Sequence, residues 1–271
     1  MPAEATASKI PAAERTFALL QLLGRASSGL TASAIAARLK VPRSSIYQLL
    51  EIAQRQGFVV HFPEEHRWGL GVAAFELGSA YLRHDPLERL AQPLLNRLLH
   101  QLGDLEVVGQ VGILSGAELL YLLKGYSQAH LQASRPVVTE VGIRLPAHLT
   151  ASGRSMLALL SRPQLRATYP GGADTVLPRR TDNGPATNRA LTELLTAEHA
   201  AGFSVEHDTV TVGYSSVAAA SVNHLGLPVA AFGVTFRSEQ MQPAEVASLQ
   251  QSIAERLLPI AAELSRRLGA K

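Results

Sequence analysis

There is no cysteine in the chain. Disulfides, thiolate metal sites and cysteine nucleophiles are therefore excluded, and the composition agrees with a reducing compartment. Equally absent is any apolar run approaching the roughly 18 residues of a membrane span. The N-terminus, MPAEATASKIPAAE, has neither the basic start nor the apolar stretch of a secretory signal. A cytoplasmic protein with no membrane association is expected. Charge of one sign is scarce too: the formal net charge is +3, with nine Lys or Arg against seven Asp or Glu in residues 1–85 and sixteen against fifteen in the remainder. Bulk attraction for nucleic acid is thus weak, and any such claim rests on motif geometry. No catalytic pattern is complete. There is no Walker loop or dinucleotide glycine pattern, and the nine His residues never form H-E-x-x-H. Ser152-Gly153-Arg154-Ser155 lacks the Lys of an S-x-x-K nucleophile, and Gly213-Tyr214-Ser215-Ser216-Val217 lacks the second Gly of a nucleophile elbow. No enzyme activity, cofactor or metal is expected. Repeats and low-complexity tracts are missing as well, and 271 residues allow two domains, each with its own core.

What is present is concentrated in the segment LTASAIAARLKVPRSSIYQLLEIAQRQ followed by GFVVHFPEEHRWGLG. Thr31 can cap a helix that begins at Ala32 and places Leu30, Ile35 and Leu39 on one face. Lys40 and Val41 break it, and Pro42 suits the first position of a second helix. There Ile46, Leu49, Leu50 and Ala53 follow helical spacing and push Arg43, Ser44, Ser45, Tyr47, Gln48 and Glu51 outward. Gly57 ends the helix. Phe58–Val60 and Arg67–Leu70 read as a hairpin around Pro63–His66, with an acidic tip at Glu64 and Glu65. An earlier amphipathic helix with Phe17, Leu20 and Leu23 on one face completes a winged helix-turn-helix. Such a helix enters the major groove of DNA, so the expected DNA contacts are Arg43, Ser44, Ser45, Tyr47 and Gln48, with Arg67 on the wing.

Beyond the wing, Val72–Leu82 reads as a helix with Phe75 and Leu82 on its buried side. Asp85-Pro86-Leu87-Glu88 opens another, reaching Leu102 and bent at Pro93. Strands are expected over Leu105–Leu114, Glu118–Tyr126 and His130–Ser134, then helices over Thr150–Leu160 and Arg162–Ala167, and a loop over Pro170–Pro185. A helix over Ala186–Ala201 ends at Gly202. Strands at Tyr214–Val222 and Pro228–Phe236 precede a terminal helix from Pro243 to Leu268. Hairpins mixed with helices indicate an α+β fold with a largely antiparallel sheet. Ser152 and Gly153 start a helix whose unpaired amides can receive an anion, and Ser215, Ser216 and Thr235 fall on a hairpin among apolar residues. A pocket so built suits a small carboxylate.

The order and spacing of AAERTFALLQLL, VPRSSIYQLLEIAQRQGFV, RWGLG, VGIRLPAHLTASGRSMLALL, HAAGFSVEHDTVTVGYSSVAAASV and GLPVAAFGVTF span nearly the whole chain. The pattern resembles the isocitrate-lyase-regulator (IclR) family of bacterial transcription factors. The resemblance implies a winged helix-turn-helix over residues 10–72, linker helices over 73–102 and a GAF-like effector-binding domain over 103–271. It also implies a homodimer or dimer of dimers on a palindromic operator in double-stranded DNA. The effector contacts it implies are Val137, Leu145, Ala151, Ser152, Glu206, Tyr214, Ser216, Gly233 and Thr235. Gln48 stands where the family usually carries Arg, and Gly233 offers no hydroxyl where some relatives have one. The expected function is a sequence-specific regulator whose operator binding responds to a small organic acid. A metabolite-sensing or small-molecule-processing protein with a vestigial helix-turn-helix is the alternative.

Overall fold

The computed structural model describes residues 11–24, 26, 28–84, 86–133 and 140–270. The chain divides into two compact units, residues 1–85 and 86–271.

In the first unit, helices α1 (Pro11–Gly24), α2 (Ala32–Leu39) and α3 (Arg43–Arg55) precede strands β1 (Val59–Phe62) and β2 (Arg67–Leu70) and helix α4 (Val72–His84). Thr31 caps α2 as its spacing predicts, its hydroxyl accepting the Ala34 amide at 3.2 Å. Pro42 sits one position earlier than expected: it is the residue before α3, with extended ψ of 142°, and Arg43 is the first helical residue. Leu19, Leu23, Ile35, Ile46, Leu50, Val59 and Trp68 form the core of the unit. Fully burying each such side chain is worth about 1.5–3 kcal/mol before chain entropy is subtracted.

Two apolar faces differ from expectation. Phe17 is 66% exposed, and α1 buries Leu19 and Leu23, whose four-residue spacing stays on one face while the set of Phe17, Leu20 and Leu23 drifts around the helix. On α4, Phe75 is 75% exposed rather than buried. The Ala73 amide donates to the Gly57 carbonyl at 3.1 Å, so the helix approaches β1 through small residues and turns Phe75 away. The side chain of Leu82 lies outside those described.

The second unit is a six-stranded antiparallel sheet in the order β5-β4-β3-β8-β7-β6, formed by β3 (Val107–Ser115), β4 (Glu118–Tyr126), β5 (Arg144–Pro146), β6 (Ser204–His207), β7 (Tyr214–Val222) and β8 (Pro228–Arg237). One face packs on α5 (Pro86–Gln101) and α10 (Pro243–Arg267) through Leu95, Leu98, Val111, Phe232, Val234, Ile253 and Leu257. Helix α5, expected as part of a connector, is thereby built into this unit's core. Asp85, its expected cap, lies outside the described residues. The other face carries α7 (Ala151–Leu157), which packs in turn against α9 (Asn188–Ala201).

Residues 130–133, expected as strand, belong to helix α6 (Gln128–Ala133). The Ser127 hydroxyl accepts the His130 amide at 3.2 Å and donates to the Leu105 carbonyl at 2.6 Å, which starts a helical turn there. Helix α8 (Arg162–Thr168) carries a capping box between Ser161 and Gln164. Strand β6 has no counterpart in the periodicity, because only four residues, SVEH, separate Phe203 from the loop after it.

Candidate functional site

Antiparallel pairing puts directly opposed side chains on the same face of a sheet. Glu206 opposes Ser216, Ser216 opposes Thr235, Ala218 opposes Gly233, and Gly233 opposes Gln110. The register alone therefore lines up polar groups from four strands on the face that α7 covers. A cavity of about 520 Å³, its solvent-open mouth included, lies there. Every strand of the sheet contributes to its lining: Gln110, Tyr121, Leu145, Glu206, Tyr214, Ser216, Gly233 and Thr235. Thr150, Ala151 and Ser152 close it from the start of α7, and Val210 and Thr211 from the loop before β7.

Of the nine residues expected around one ligand, eight line this cavity: Leu145, Ala151, Ser152, Glu206, Tyr214, Ser216, Gly233 and Thr235. Val137 lies outside the described residues. Five lining residues were not anticipated. Gln110 is a lone polar residue in the run VVGQVG, and that interruption of a buried strand is a signal; Thr150 is legible as a cap. Tyr121, Val210 and Thr211 carry no local mark and reach the cavity only through the fold. Ser215 faces the opposite side of β7, fully buried, with its hydroxyl 2.6 Å from His207 Nδ1 and donating to Ser238 at 3.0 Å.

The polar wall is one connected chain. Glu206 is 3% exposed, and its Oε1 accepts the backbone amides of Thr209 and Val210 at 2.7 and 3.1 Å. The Ser216 hydroxyl donates to its Oε2 at 3.0 Å, lies 3.0 Å from Thr235 Oγ1, and Thr235 Oγ1 is 3.4 Å from Gln110 Oε1. Among the described residues Glu206 is the only formally charged side chain on the lining. Opposite, Tyr121 is 6% exposed, and burial together with the Glu206 charge pushes its phenol well above the ordinary value, so it stays protonated.

Helix α7 is held over the cavity by a second, separate network. The Thr150 hydroxyl accepts the Gly153 amide at 3.0 Å, and a Cβ at Gly153 would overlap the Ala147 backbone, so the first turn is tied down at close range. Arg154, 2% exposed, donates from Nε to both carboxylate oxygens of Glu198 at 3.0 and 3.2 Å, and from its other nitrogens to the carbonyls of His148, Leu149 and Val205. Ser204 completes the arrangement by donating to Glu198 at 2.8 Å. Burial raises the Glu198 pKa against the opposing pull of Arg154. This cation is fully occupied and is not offered to the cavity. Among the described residues no group of three or more His, Asp or Glu could hold a metal ion.

In the first unit, Arg43, Ser44, Tyr47 and Gln48 are exposed together on α3, with Tyr47 at 56%, whereas Ser45 is half-covered and sits off that face. The Arg43 guanidinium bonds the Ser33 hydroxyl of α2. Arg67 is engaged within the chain: its Nη1 donates to Ser28 Oγ at 3.0 Å and to the Gly29 carbonyl at 2.8 Å, which fastens β2 to the loop before α2.

Comparison with known proteins matches both units. The family model described as the IclR helix-turn-helix domain covers residues 12–61, and that described as bacterial transcriptional regulator IclR C-terminal covers residues 79–266. The chain is 28% identical over 246 residues to the HTH-type transcriptional regulator BhcR of Paracoccus denitrificans, covering 91% of this chain and 84% of that protein. It is 25% identical over 261 residues to the HTH-type transcriptional repressor AllR of Klebsiella pneumoniae, covering 96% and 90%. The fold also matches the crystal structure of an IclR homolog complexed with 4-hydroxybenzoate from Microbacterium hydrocarbonoxydans, with a TM-score of 0.71 at 20% identity over 92% of this chain and 98% of that one. With a helix-turn-helix and a polar-walled cavity in separate units, each matched by its own model, the chain belongs to the IclR family of bacterial transcriptional regulators.

Proposed function

We propose that this regulator binds a palindromic operator as a homodimer or dimer of dimers, and that a small organic effector with an acidic group sets its occupancy. The observation that carries the reading is convergence: eight residues separated by up to 90 positions of sequence, from four strands and one helix, surround a single cavity. Its mostly apolar lining with a few fixed polar groups is that of a small-molecule site. That a homolog of the same fold is complexed with 4-hydroxybenzoate supports a ligand of this size. Under this reading α3 reads the major groove through Arg43, Ser44, Tyr47 and Gln48, and Ser45 and Arg67 contribute through packing as much as through contact. The effector acts by binding one arrangement of the DNA-bound and free states more tightly than the other. No residue is assigned a catalytic role, and a cytoplasmic location is proposed; no helix among the described residues is long and apolar enough to cross a membrane.

The test combines footprinting on the DNA upstream of the chain's own gene with thermal melting of the full chain against small monocarboxylates, 4-hydroxybenzoate and glycolate among them. Protection of a short palindrome and a ligand-induced rise in Tm are expected. Thr235→Val removes a hydroxyl from the cavity wall and should abolish the rise while leaving the footprint intact. A rise of unchanged size in that variant would place the ligand elsewhere, and absence of any footprint at low salt would support a sensor with a vestigial helix-turn-helix.

A further inference from the structure

Hydrogen positions along the polar wall follow from valence. A carboxylate only accepts, so the Ser216 proton is committed to Glu206 Oε2. Ser216 then has nothing left to donate, and the single Thr235 proton is shared between two acceptors in the wall, Ser216 Oγ at 3.0 Å and Gln110 Oε1 at 3.4 Å. Both hydroxyl protons are therefore taken up within the wall, and what the two oxygens have left to offer a ligand is lone pairs. The two side chains that look like hydroxyl donors in the sequence form an acceptor surface in the fold. The opposite wall has the reverse polarity: the Tyr121 phenol is kept protonated beside the Glu206 charge, and its hydroxyl makes no hydrogen bond to any described residue. Among the described residues no Lys, Arg or His lines the cavity, and the single formal charge they bring to it is negative.

A bare carboxylate seated on the Ser216–Thr235 pair would meet lone pairs and the nearby Glu206 charge. We propose that the cavity selects a small molecule that carries a hydroxyl or N–H donor in addition to its acidic group, with the donor seated on Ser216 and Thr235 and an acceptor facing Tyr121. The inference rests on the effector reading above and specifies its chemistry: hydroxy acids, amino acids or amide-bearing acids, and not simple alkyl or aryl acids. The cost of ignoring this polarity is that of leaving buried polar groups unpaired, which is why sites built to pair a hydroxyl reject the analogue lacking it far more strongly than an apolar pocket rejects an extra methylene.

Calorimetric titration of the full chain with matched pairs tests it: 4-hydroxybenzoate against benzoate, 4-aminobenzoate against benzoate, and glycolate against acetate. For a pair that fits the cavity, the donor-bearing member is expected to bind at least tenfold more tightly. In Glu206→Gln the side-chain amide can donate to Ser216 and reverse the proton order, so the preference should fall below threefold. Should that variant fail to fold after losing the turn at Thr209 and Val210, Ser216→Ala combined with Gln110→Met leaves the Thr235 proton without either acceptor and should narrow the preference in the same way. Acids that bind within threefold of their donor-bearing partners in the wild-type chain overturn the inference and leave the effector site standing. A preference that survives unchanged in both variants overturns the assignment to this relay. If no acid of any pair binds, the effector reading itself fails and takes the inference with it.

Discussion

The hydroxyl of Ser152 occupies the space that a side chain on Gly233 would need: a Cβ built on Gly233 runs into Ser152 Oγ. The start of α7 and the middle of β8 are thus fitted to each other, and the polar atom missing from β8 is supplied from the helix above it. The hydroxyl absent at one position of the sequence is present at that point of the cavity.

Gly233→Ala should consequently push Ser152 off its place. Overpacking of this kind costs about 1–3 kcal/mol, and a fall in Tm accompanied by loss of ligand binding is expected. The double variant Gly233→Ala with Ser152→Gly opens the space again and should recover most of the stability. A double-mutant cycle showing no coupling between the two positions would contradict the fit.

Breaking the Arg154–Glu198 pair should be the more damaging change. Arg154→Met strands a carboxylate that is 6% exposed, and removal of one partner from such a pair typically costs about 3–5 kcal/mol. Urea unfolding is the measurement. Replacing both, Arg154→Met with Glu198→Leu, leaves no uncompensated charge and should be closer to wild type than either single variant.

His148 predicts a pH dependence. It is 2% exposed, its Nε2 lies 2.8 Å from the Pro178 carbonyl, and its Nδ1 is buried without a partner. Burial first, then the Arg154 charge, lowers its pKa from the ordinary 6.5. The unfolded chain takes a proton near that value while the folded chain resists it, so stability contributed by the neutral ring is present above about pH 6.5 and is lost as pH falls toward the lower folded pKa. Glu198, with its raised pKa, works in the opposite sense, so the quantity to read is the difference between wild type and His148→Gln. Between pH 7.5 and 5 the wild-type Tm should fall more steeply than the variant's; parallel curves would exclude His148 as the cause.

On the DNA-reading side, Arg43 and Arg67 should separate. Arg43→Ala is expected to weaken operator binding and, if its contact is with phosphate alone, to lower the salt slope by about one without changing sequence preference. Arg67→Ala removes two internal hydrogen bonds from a charged donor, an effect of about 1.5–3 kcal/mol on the wing's anchoring. Its expected signature is a lowered Tm of the free protein with an unchanged salt slope.

Much was legible before any coordinates. Helical spacing, a capping threonine and a proline break mark α2 and α3, and the Arg67–Leu70 strand emerges with the expected boundaries because a half-buried hairpin writes its period into the sequence. Errors arose where a local pattern was overruled. Phe17 and Phe75 are apolar, yet the faces that bury were chosen by Leu19 and by the close approach at Gly57. Ser127 turned an expected strand into a helix with a single hydroxyl.

The sequence by itself determined most of the elements, the two-unit organisation and the family, because those follow from periodicity and from the order of motifs along one dimension. It also named most of the cavity's walls through that family. Only the tertiary structure decided what the walls present. Whether Ser216 and Thr235 donate or accept depends on Glu206 lying one strand away, and whether Arg154 is a ligand cation or a structural one depends on Glu198, 44 residues further on. Hydrogen-bond direction and charge pairing are properties of neighbours in space, and the chain records them only after the sheet has set its register.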